Sequence, residues 1–263
     1  EAVLAFLAFG FDPTQGSLFR QQDVPEVTEL SWILGCFINM GILERAHAFK
    51  ASRDAGKEIN LGTVSYPVLM AADILIYDST HVPVGKDQKQ HLEMTRDLAG
   101  KINDRFGEGT LVIPEVQIKE NTAVVPGLDG QKMSKSYGNT LPLCGAQKAL
   151  RKQVMKITTD STPVEEPKAT EGSNIIALYK LFASDAEVQQ MIADHQAGVF
   201  GYCDFKQLLF DAYWEFFAPV RAKREELENN LDYVNQVIAE GAEKARAEST
   251  KVLDRVRKAV GLR

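Results

Sequence analysis

Apolar and polar positions alternate in two different ways along the chain, and the change comes near residue 140. Up to that point, helical spacings alternate with short runs of β-branched residues, which is typical of an open sheet covered by helices. Beyond it, the apolar positions recur at helical spacing alone. We therefore predict an α/β fold, with a parallel-sheet domain over residues 1–142 and an all-helical domain over residues 143–263.

The same spacing predicts the individual elements. In the first domain we expect helices at 2–9, 25–40, from 42 onward, 66–77 and 86–103, and strands at 17–21, 81–84 and 111–118. In the second domain we expect helices at 144–157, 173–195, 205–229 and 231–260. Residues 120–140 are rich in Gly, Ser, Asn and Lys, and this composition predicts a mobile loop.

The composition excludes several classes of protein. With 44% hydrophobic and 25% charged residues over 263 positions, the chain is neither disordered nor fibrous. Its net charge of −6 creates no general attraction for nucleic acid, so a polyanion would have to bind a local patch. The longest apolar runs fall far short of the roughly 20 residues that a membrane-spanning helix needs. We therefore expect a protein without a membrane partner.

Cysteine usage predicts the cellular compartment. Cys36, Cys144 and Cys203 have neither the spacing of zinc ligands nor that of a disulfide framework. We therefore expect reduced thiols in a cytoplasmic protein. Since carboxylates do not cluster at metal spacing either, we predict no protein metal site.

The predicted helix at 66–77 carries one charged side chain, Asp73, among apolar neighbours. A helix that is apolar on every side is buried, and burying a carboxylate is costly unless it is paired or hydrogen-bonded. Asp73 therefore needs a partner. That partner is either a structural donor, such as an arginine, a lysine or a backbone N–H, or a ligand N–H or O–H, and burial alone does not separate the two.

A strand end, a glycine turn and a polar helix start follow one another at 82–91. Ligands of open α/β sheets bind at the carboxyl ends of strands, and a helix N-terminus supplies free N–H groups for an anion. The segment predicts a binding edge, although the same arrangement is common without function. We expect His91 to be solvated or capped rather than a ligand.

The segment 130–139 contains two lysines, Lys132 and Lys135, among hydroxyl groups in a loop flanked by glycines. Such a loop is suited to clamp a polyphosphate whose charge shifts during a reaction. Residues 132–136 also reproduce all five letters of the KMSKS signature of class I aminoacyl-tRNA synthetases. Together with the segments 23–32, 66–73 and 82–96, this signature is the strongest part of a resemblance to the bacterial tryptophanyl-tRNA synthetases. The resemblance covers essentially the whole chain. The related tyrosyl enzymes typically carry Gln in place of Met70, which favours tryptophan.

The resemblance implies a set of substrate-binding residues. For tryptophan the implied residues are Tyr66, Met70, Asp73, Val82, Val84 and Gln88. Asp73 would accept the indole N–H, Met70 and the two valines would form an apolar slot for the ring, and Tyr66 and Gln88 would bind the amino and carboxylate end. For ATP the implied residues are Gly85, Lys86, Asp87, Val125, Lys132, Met133, Ser134, Lys135 and Ser136. The two loop lysines would be catalytic, holding the β- and γ-phosphates.

The resemblance also implies an architecture and a reaction. Residues 1–142 would be a Rossmann-like catalytic domain, and residues 143–263 a helical anticodon-binding domain. The enzyme would be a ligase of protein biosynthesis that activates L-tryptophan with ATP and Mg²⁺, transfers it to tRNA(Trp) and forms a homodimer. Alternatives are a tyrosyl-tRNA synthetase and a non-catalytic tRNA-binding fragment or paralogue.

One family motif does not occur in the chain. Class I synthetases carry a His-x-Gly-His-type motif on the first strand–helix turn, and this sequence contains none. We therefore expect that the catalytic domain is incomplete at its N-terminus. A chain with these boundaries is expected to be inactive in adenylation by itself.

Two stretches are locally basic. Residues 144–159 contain four basic side chains and no acidic one, and residues 241–263 contain seven basic against three acidic side chains. The four in the first stretch are Lys148, Arg151, Lys152 and Lys156. Either stretch can meet the phosphates of tRNA or form a solvated helix face.

Overall fold

The computed structural model describes residues 1–56, 58–118 and 125–262. Its α-helices are α1 (Ala2–Ala8), α2 (Glu26–Gly35), α3 (Met40–Glu44), α4 (His47–Asp54), α5 (Leu61–Leu75), α6 (Lys89–Phe106), α7 (Gln147–Val154), α8 (Asn174–Tyr179), α9 (Asp185–Ala197), α10 (Tyr202–Phe216), α11 (Ala218–Glu228) and α12 (Leu231–Val260). The strands are β1 (His81–Val84) and β2 (Glu115–Ile118). In the part of the chain that the structure describes, none of the helices is both long and apolar enough to span a membrane.

The chain forms two compact units, and neither is a continuous stretch. Unit 1 consists of Glu1–Gly10 and Ala123–Asn229, and unit 2 consists of Phe11–Thr122 and Asn230–Arg263. This division differs from a single boundary after residue 142. The last helix belongs with the sheet, while α1 and the described residues 125–142 belong with the other helices. The functional division into catalytic and anticodon-binding domains stays a prediction.

The sheet of unit 2 is parallel, as predicted. β1 pairs with β2 in the register Val82 to Val116 and Val84 to Ile118. Parallel neighbours need a crossover, and α6 lies between these two strands along the chain. On both strands the half-buried residues alternate with exposed ones, so Val82 and Val84 share one face of β1.

The core of unit 2 explains why the last helix joins it. α2, α5 and α6 supply fully buried aliphatic side chains, among them Leu30, Ala72 and Leu98. From α12, Val252 and Val256 enter the same cluster at 2% and 0% exposure. Helix spacing of apolar positions therefore predicted the bounds 231–260 correctly, but not which core the helix would complete.

The predicted strand at 17–21 is wrong. Residues 17–20 have no regular secondary structure, and a 3-10 helix follows at Gln21–Asp23. The backbone here packs against α12 at Gly241, where an added Cβ would lie 2.1 Å from the carbonyl oxygen of Leu18. Residues 17–20 therefore pack with their backbone against α12 and do not pair with a strand.

Two other boundaries in unit 2 are set by asparagine side chains. α5 begins at Leu61, before the predicted start, because the Asn60 side chain accepts the Thr63 N–H at 2.9 Å and caps the helix. β2 begins after the predicted residue 111 because Asn103 bonds both backbone groups of Leu111, at 2.9 and 2.8 Å. Those groups are then unavailable to a strand ladder.

Unit 1 is helical, but three predicted helices have different bounds. The prediction at 144–157 corresponds to the shorter α7. The prediction at 173–195 corresponds to α8 and α9, because Ser184 and Glu187 form a capping box that starts a new helix. The prediction at 205–229 corresponds to α10 and α11, and Pro219 occupies the first turn of α11. Leu150, Ile176, Phe205, Leu209 and Tyr213 are among the buried side chains of its core.

Candidate functional site

Three of the predicted tryptophan-binding residues lie on one face of α5. Tyr66, Met70 and Asp73 follow the spacing i, i+4, i+7, and all three are partly buried. α5 is rich in apolar residues throughout its length, as the sequence indicated. The helix therefore presents an aromatic, a thioether and a carboxylate side chain in a row.

Asp73 has a structural partner that sequence analysis missed. The Gln21 side-chain amide nitrogen donates to both carboxylate oxygens of Asp73, at 2.9 and 2.7 Å. This partner of Asp73 is a neutral side-chain amide, whereas the sequence suggested an arginine, a lysine or a backbone N–H as the structural donor. Burial raises the pKa of the Asp73 carboxyl, and the hydrogen bond from Gln21 acts in the opposite direction. Since an ionised carboxylate offers about four acceptor positions, Asp73 can still accept a ligand N–H.

Two carboxylates, those of Asp73 and Glu26, act on the hydroxyl of Tyr77. Burial, followed by the charges of Asp73 and Glu26, raises the pKa of Tyr77 to about 12. Tyr77 lies two residues beyond the end of α5, in the turn that follows it, and its ring packs edge-on against Phe19. An ionised carboxylate only accepts hydrogen bonds, so a ligand group that bonds to Asp73 has to be a donor.

Tyr66 is held by a residue of α6. Its hydroxyl lies 2.8 Å from Nε2 of His91, and the two ring centroids are 5.5 Å apart. His91 is 8% exposed, so of the two expected states, solvated or capped, the structure excludes the solvated one. The contact between Tyr66 and His91 fixes α5 against the start of α6, three residues after Gln88.

The turn after β1 is compact and polar. Gly85 approaches Asp87 so closely that an added Cβ would lie 2.7 Å from its carboxylate oxygen. The Gln88 side chain donates to the same carboxylate at 2.8 Å. Lys86 and Asp87 are exposed, while Gln88 is partly buried at the start of α6. A 3-10 helix at Lys86–Gln88 connects the end of β1 to α6, so a helix start follows the strand end as predicted. Anion binding at this edge stays a prediction.

In unit 1, the lysine loop (residues 125–140) is a hydrogen-bonded turn. Pro126 and Lys132 form an antiparallel bridge, and the Met133 N–H donates to the Val125 carbonyl at 2.9 Å. Met133 packs against the core of unit 1. Residues 120–124 of the predicted mobile loop lie outside the described residues, and motion of the remainder stays a prediction.

The two lysines of this loop are exposed, but their backbone is fixed. The Ser134 hydroxyl accepts the Ser136 N–H at 3.2 Å and caps the short 3-10 helix Lys135–Tyr137. Gly138 ends that helix with φ of +65°, a conformation that favours glycine. The structure therefore groups the predicted site residues by unit: Val125 and 132–136 in unit 1, and Tyr66 to Gln88 in unit 2.

The two basic stretches differ in their surroundings. On α7 the side chains of Lys148, Arg151 and Lys152 are exposed while Leu150 and Val154 are buried. Arg151 donates to the neutral side chain of Gln207 at 2.7 Å. This helix therefore presents cations to solvent.

On α12 four of the basic side chains pair with carboxylates of unit 2, and Lys244 donates to the Pro13 carbonyl at 3.3 Å. The pairs are Arg246 with Glu26, Lys251 with Glu248, Arg255 with Asp78, and Arg257 with Glu29 and Asp254. Arg263, the last basic residue of this stretch, lies outside the described residues. The paired state favours a structural role for α12 over phosphate binding.

Comparison with known proteins gives consistent matches over the chain. The family model described as class I tRNA synthetases for tryptophan and tyrosine matches residues 1–218. The tryptophan–tRNA ligase of Rhodopirellula baltica is 53% identical over 262 residues, which are 100% of this chain and 82% of that protein. The corresponding ligase of Fusobacterium nucleatum is 49% identical, over 99% of this chain and 80% of its own length.

A solved structure matches as well. The tryptophanyl-tRNA synthetase of Campylobacter jejuni, complexed with ADP and tryptophan, is similar with a TM-score of 0.93 and 42% identity. The similarity covers 99% of this chain and 81% of that one. At this level of identity the fold and the sequence point to the same family.

Proposed function

Because the chain belongs to the class I aminoacyl-tRNA synthetases for tryptophan and tyrosine, we propose that it acts as a tryptophan–tRNA ligase. The observation that carries this proposal is 53% identity, over the whole chain, to a protein of that name. The relatives favour tryptophan over tyrosine, in agreement with Met70 on α5. The enzyme activates L-tryptophan with ATP and then transfers it to tRNA(Trp).

Tryptophan binding is assigned to unit 2. Asp73 accepts the indole N–H on an acceptor position that Gln21 leaves available, and Met70, Val82 and Val84 contact the ring. Tyr66, fixed by His91, and Gln88 bind the amino and carboxylate end. The partly buried carboxylate of Asp73, of which Gln21 uses only part of the acceptor capacity, supports an N–H donor at this place.

Adenylation requires no protein nucleophile. The substrate carboxylate attacks the α-phosphorus of ATP in line, the bond to the β-phosphate oxygen breaks, and pyrophosphate leaves. Lys132 and Lys135 neutralise the charge that develops on the β- and γ-phosphates, with Met133, Ser134, Ser136 and Val125 around the nucleotide. Gly85, Lys86 and Asp87 are assigned to the nucleotide side of unit 2.

Magnesium is assigned to the substrate rather than to a protein cage. Across residues 1–56, 58–118 and 125–262, no group of three His, Cys, Asp or Glu side chains is arranged to hold a metal ion. Mg²⁺ typically binds substrate phosphates and keeps several waters. We therefore infer that it enters as the complex with ATP. The homodimer and the cytoplasmic location expected for the family stay predictions.

The test is tryptophan-dependent ATP–pyrophosphate exchange, followed by charging of tRNA(Trp), with the complete gene product. The same two assays with tyrosine and tRNA(Tyr) serve as the control. Exchange that depends on tyrosine would favour the tyrosyl alternative. Binding of tRNA without exchange with either amino acid would favour a non-catalytic tRNA-binding protein.

For tRNA we assign α7 as a phosphate-binding surface, because its cations are exposed and Arg151 donates to the neutral side chain of Gln207. The double variant Lys148→Ala/Lys152→Ala should weaken tRNA binding and reduce the slope of log affinity against log salt by about one per lost phosphate contact. Pyrophosphate exchange, which needs no tRNA, should not change. Lys223→Ala is a control in the same unit, since Lys223 pairs with Glu226 at 2.9 Å. An unchanged salt slope in the double variant would contradict this assignment.

A further inference from the structure

Asn139 is a buried polar residue directly after the lysine loop's short helix, and it is 4% exposed. We propose that Asn139 is a positioning residue that holds the backbone of Lys132 and Lys135 for catalysis. This inference rests on the proposed role of the two lysines at ATP. It assigns a function to a residue with no charge and no reactive group.

The side chain of Asn139 is fully used by the loop. Its amide nitrogen donates to the Asp129 carboxylate at 2.7 Å and to the Lys132 carbonyl at 3.1 Å. Its amide oxygen accepts the Ser134 N–H at 2.8 Å. Both N–H donors and the oxygen of the Asn139 amide thus have hydrogen-bond partners inside the loop. A buried amide without such partners would destabilise the fold.

The backbone of Asn139 and a nearby glycine complete the arrangement. The Asn139 carbonyl accepts the Leu128 N–H at 2.9 Å. At Gly127 an added Cβ would lie 2.2 Å from the Asn139 amide nitrogen, so a side chain at this position would displace the amide. The close approach requires glycine at 127 and fixes Asn139 from a second side.

These contacts fall on either side of Met133. The Lys132 carbonyl and the Ser134 N–H are both bound by one side chain, and Ser134 in turn caps the 3-10 helix that begins at Lys135. Asn139 therefore fixes the backbone from which both exposed lysine side chains extend. A change at Asn139 should misplace two cations without removing either charge.

The test uses Asn139→Asp in tryptophan-dependent pyrophosphate exchange with the complete gene product. The variant keeps an acceptor for Ser134 but loses both N–H donors and places a second carboxylate beside Asp129. We expect kcat to fall by about 10- to 100-fold, since a misplacement of about 1 Å is enough for such a loss, while the KM for tryptophan stays unchanged. The double variant Asn139→Asp/Asp129→Asn should recover part of kcat, because amide and carboxylate then exchange places.

A matched control separates positioning from general destabilisation. Asn103 braces the backbone of Leu111 in unit 2 with the same chemistry, so Asn103→Ala should lower Tm while leaving kcat unchanged. An equal fall in kcat for Asn103→Ala at a similar loss of Tm would overturn the inference. If Lys135→Ala lowers exchange and Asn139→Asp does not, the inference also fails. If Lys135→Ala itself has no effect, the proposed role of the loop fails instead.

Discussion

The predicted tryptophan-binding residues of unit 2 and the lysine loop of unit 1 are held in opposite ways. In unit 2 the side chains themselves are bonded: Asp73 to Gln21 and Tyr66 to His91. In the lysine loop the side chains of Lys132 and Lys135 are exposed, and the backbone beneath them is held by Asn139.

The difference fits two kinds of ligand. A rigid indole needs an acceptor whose orientation is fixed before binding, so that little freedom is lost when the ligand arrives. A polyphosphate changes its charge distribution as the α-phosphorus is attacked, and mobile ammonium groups on a fixed backbone can follow that change. Substitutions in the two regions should therefore affect different kinetic constants.

The largest effect is expected for the lysine loop. Lys132→Ala and Lys135→Ala should each lower kcat of tryptophan-dependent pyrophosphate exchange by about 10²- to 10³-fold, because each removes a charge that acts on the transition state. Tryptophan affinity, measured by equilibrium titration, should stay unchanged. Lys180→Ala, which removes an exposed lysine at the end of α8, is the control. An equal loss of tryptophan affinity would show that the loop serves ground-state binding or structure.

A smaller effect, on a different constant, is expected for Asp73→Ala. Loss of a hydrogen bond to a charged group is worth roughly 1.5–3 kcal/mol, so the KM for tryptophan should rise by about 10- to 150-fold while ATP binding is unaffected. Discrimination against phenylalanine should also weaken. An unchanged tryptophan KM would contradict the assignment, and unfolding of the variant would favour a purely structural role.

The carboxylate of Asp78 offers a matched control for Asp73. It lies in the turn after α5 and pairs with Arg255, with one nitrogen–oxygen distance of 3.0 Å. Asp78→Ala should lower Tm and leave the tryptophan KM of the folded enzyme unchanged. The comparison separates a carboxylate that binds substrate from one that fixes α12 within unit 2.

The sequence predicted well those elements whose limits follow from periodicity. The bounds of β1 and α12 agree with the predictions, because alternation and helical spacing begin and end at the same residues as the structure. It failed where a single side chain decides the boundary, as with Asn103 at the start of β2. The capping box at Ser184 was readable from the sequence, and its spacing separates α8 from α9.

The candidate site was predictable to a similar extent. The lysines were found because five consecutive residues carry a specific signature, and Asp73 because a lone carboxylate stands among apolar residues. Gln21 was missed because it is 52 positions from Asp73 in the chain, and only the folded backbone brings the two together. Asn139 was missed because its role depends on three partners that no local pattern connects.

The smallest effect is expected for Gln21, and it tests whether the orientation of Asp73 matters. Gln21→Ala leaves the charge of Asp73 but removes the amide that orients it. Fixing a side chain on binding costs about 0.5–1.5 kcal/mol, so tryptophan affinity at neutral pH should fall by about 2- to 10-fold. Gln22→Ala, an exposed neighbour in the same 3-10 helix, is the control.

The pH profile makes the test of Gln21 specific. Burial raises the pKa of Asp73 and the Gln21 hydrogen bond lowers it, so the pKa should rise further when Gln21 is replaced. As the pH falls, the carboxylate becomes protonated and loses strength as an acceptor of the indole N–H. The loss of tryptophan affinity should therefore begin at a higher pH in Gln21→Ala than in the unchanged enzyme or in Gln22→Ala. Coincident profiles for all three proteins would show that Gln21 does not control the protonation of Asp73. The hydrogen bonds to the unit 2 side chains would then have no effect on tryptophan binding that distinguishes them from the exposed lysines of the loop.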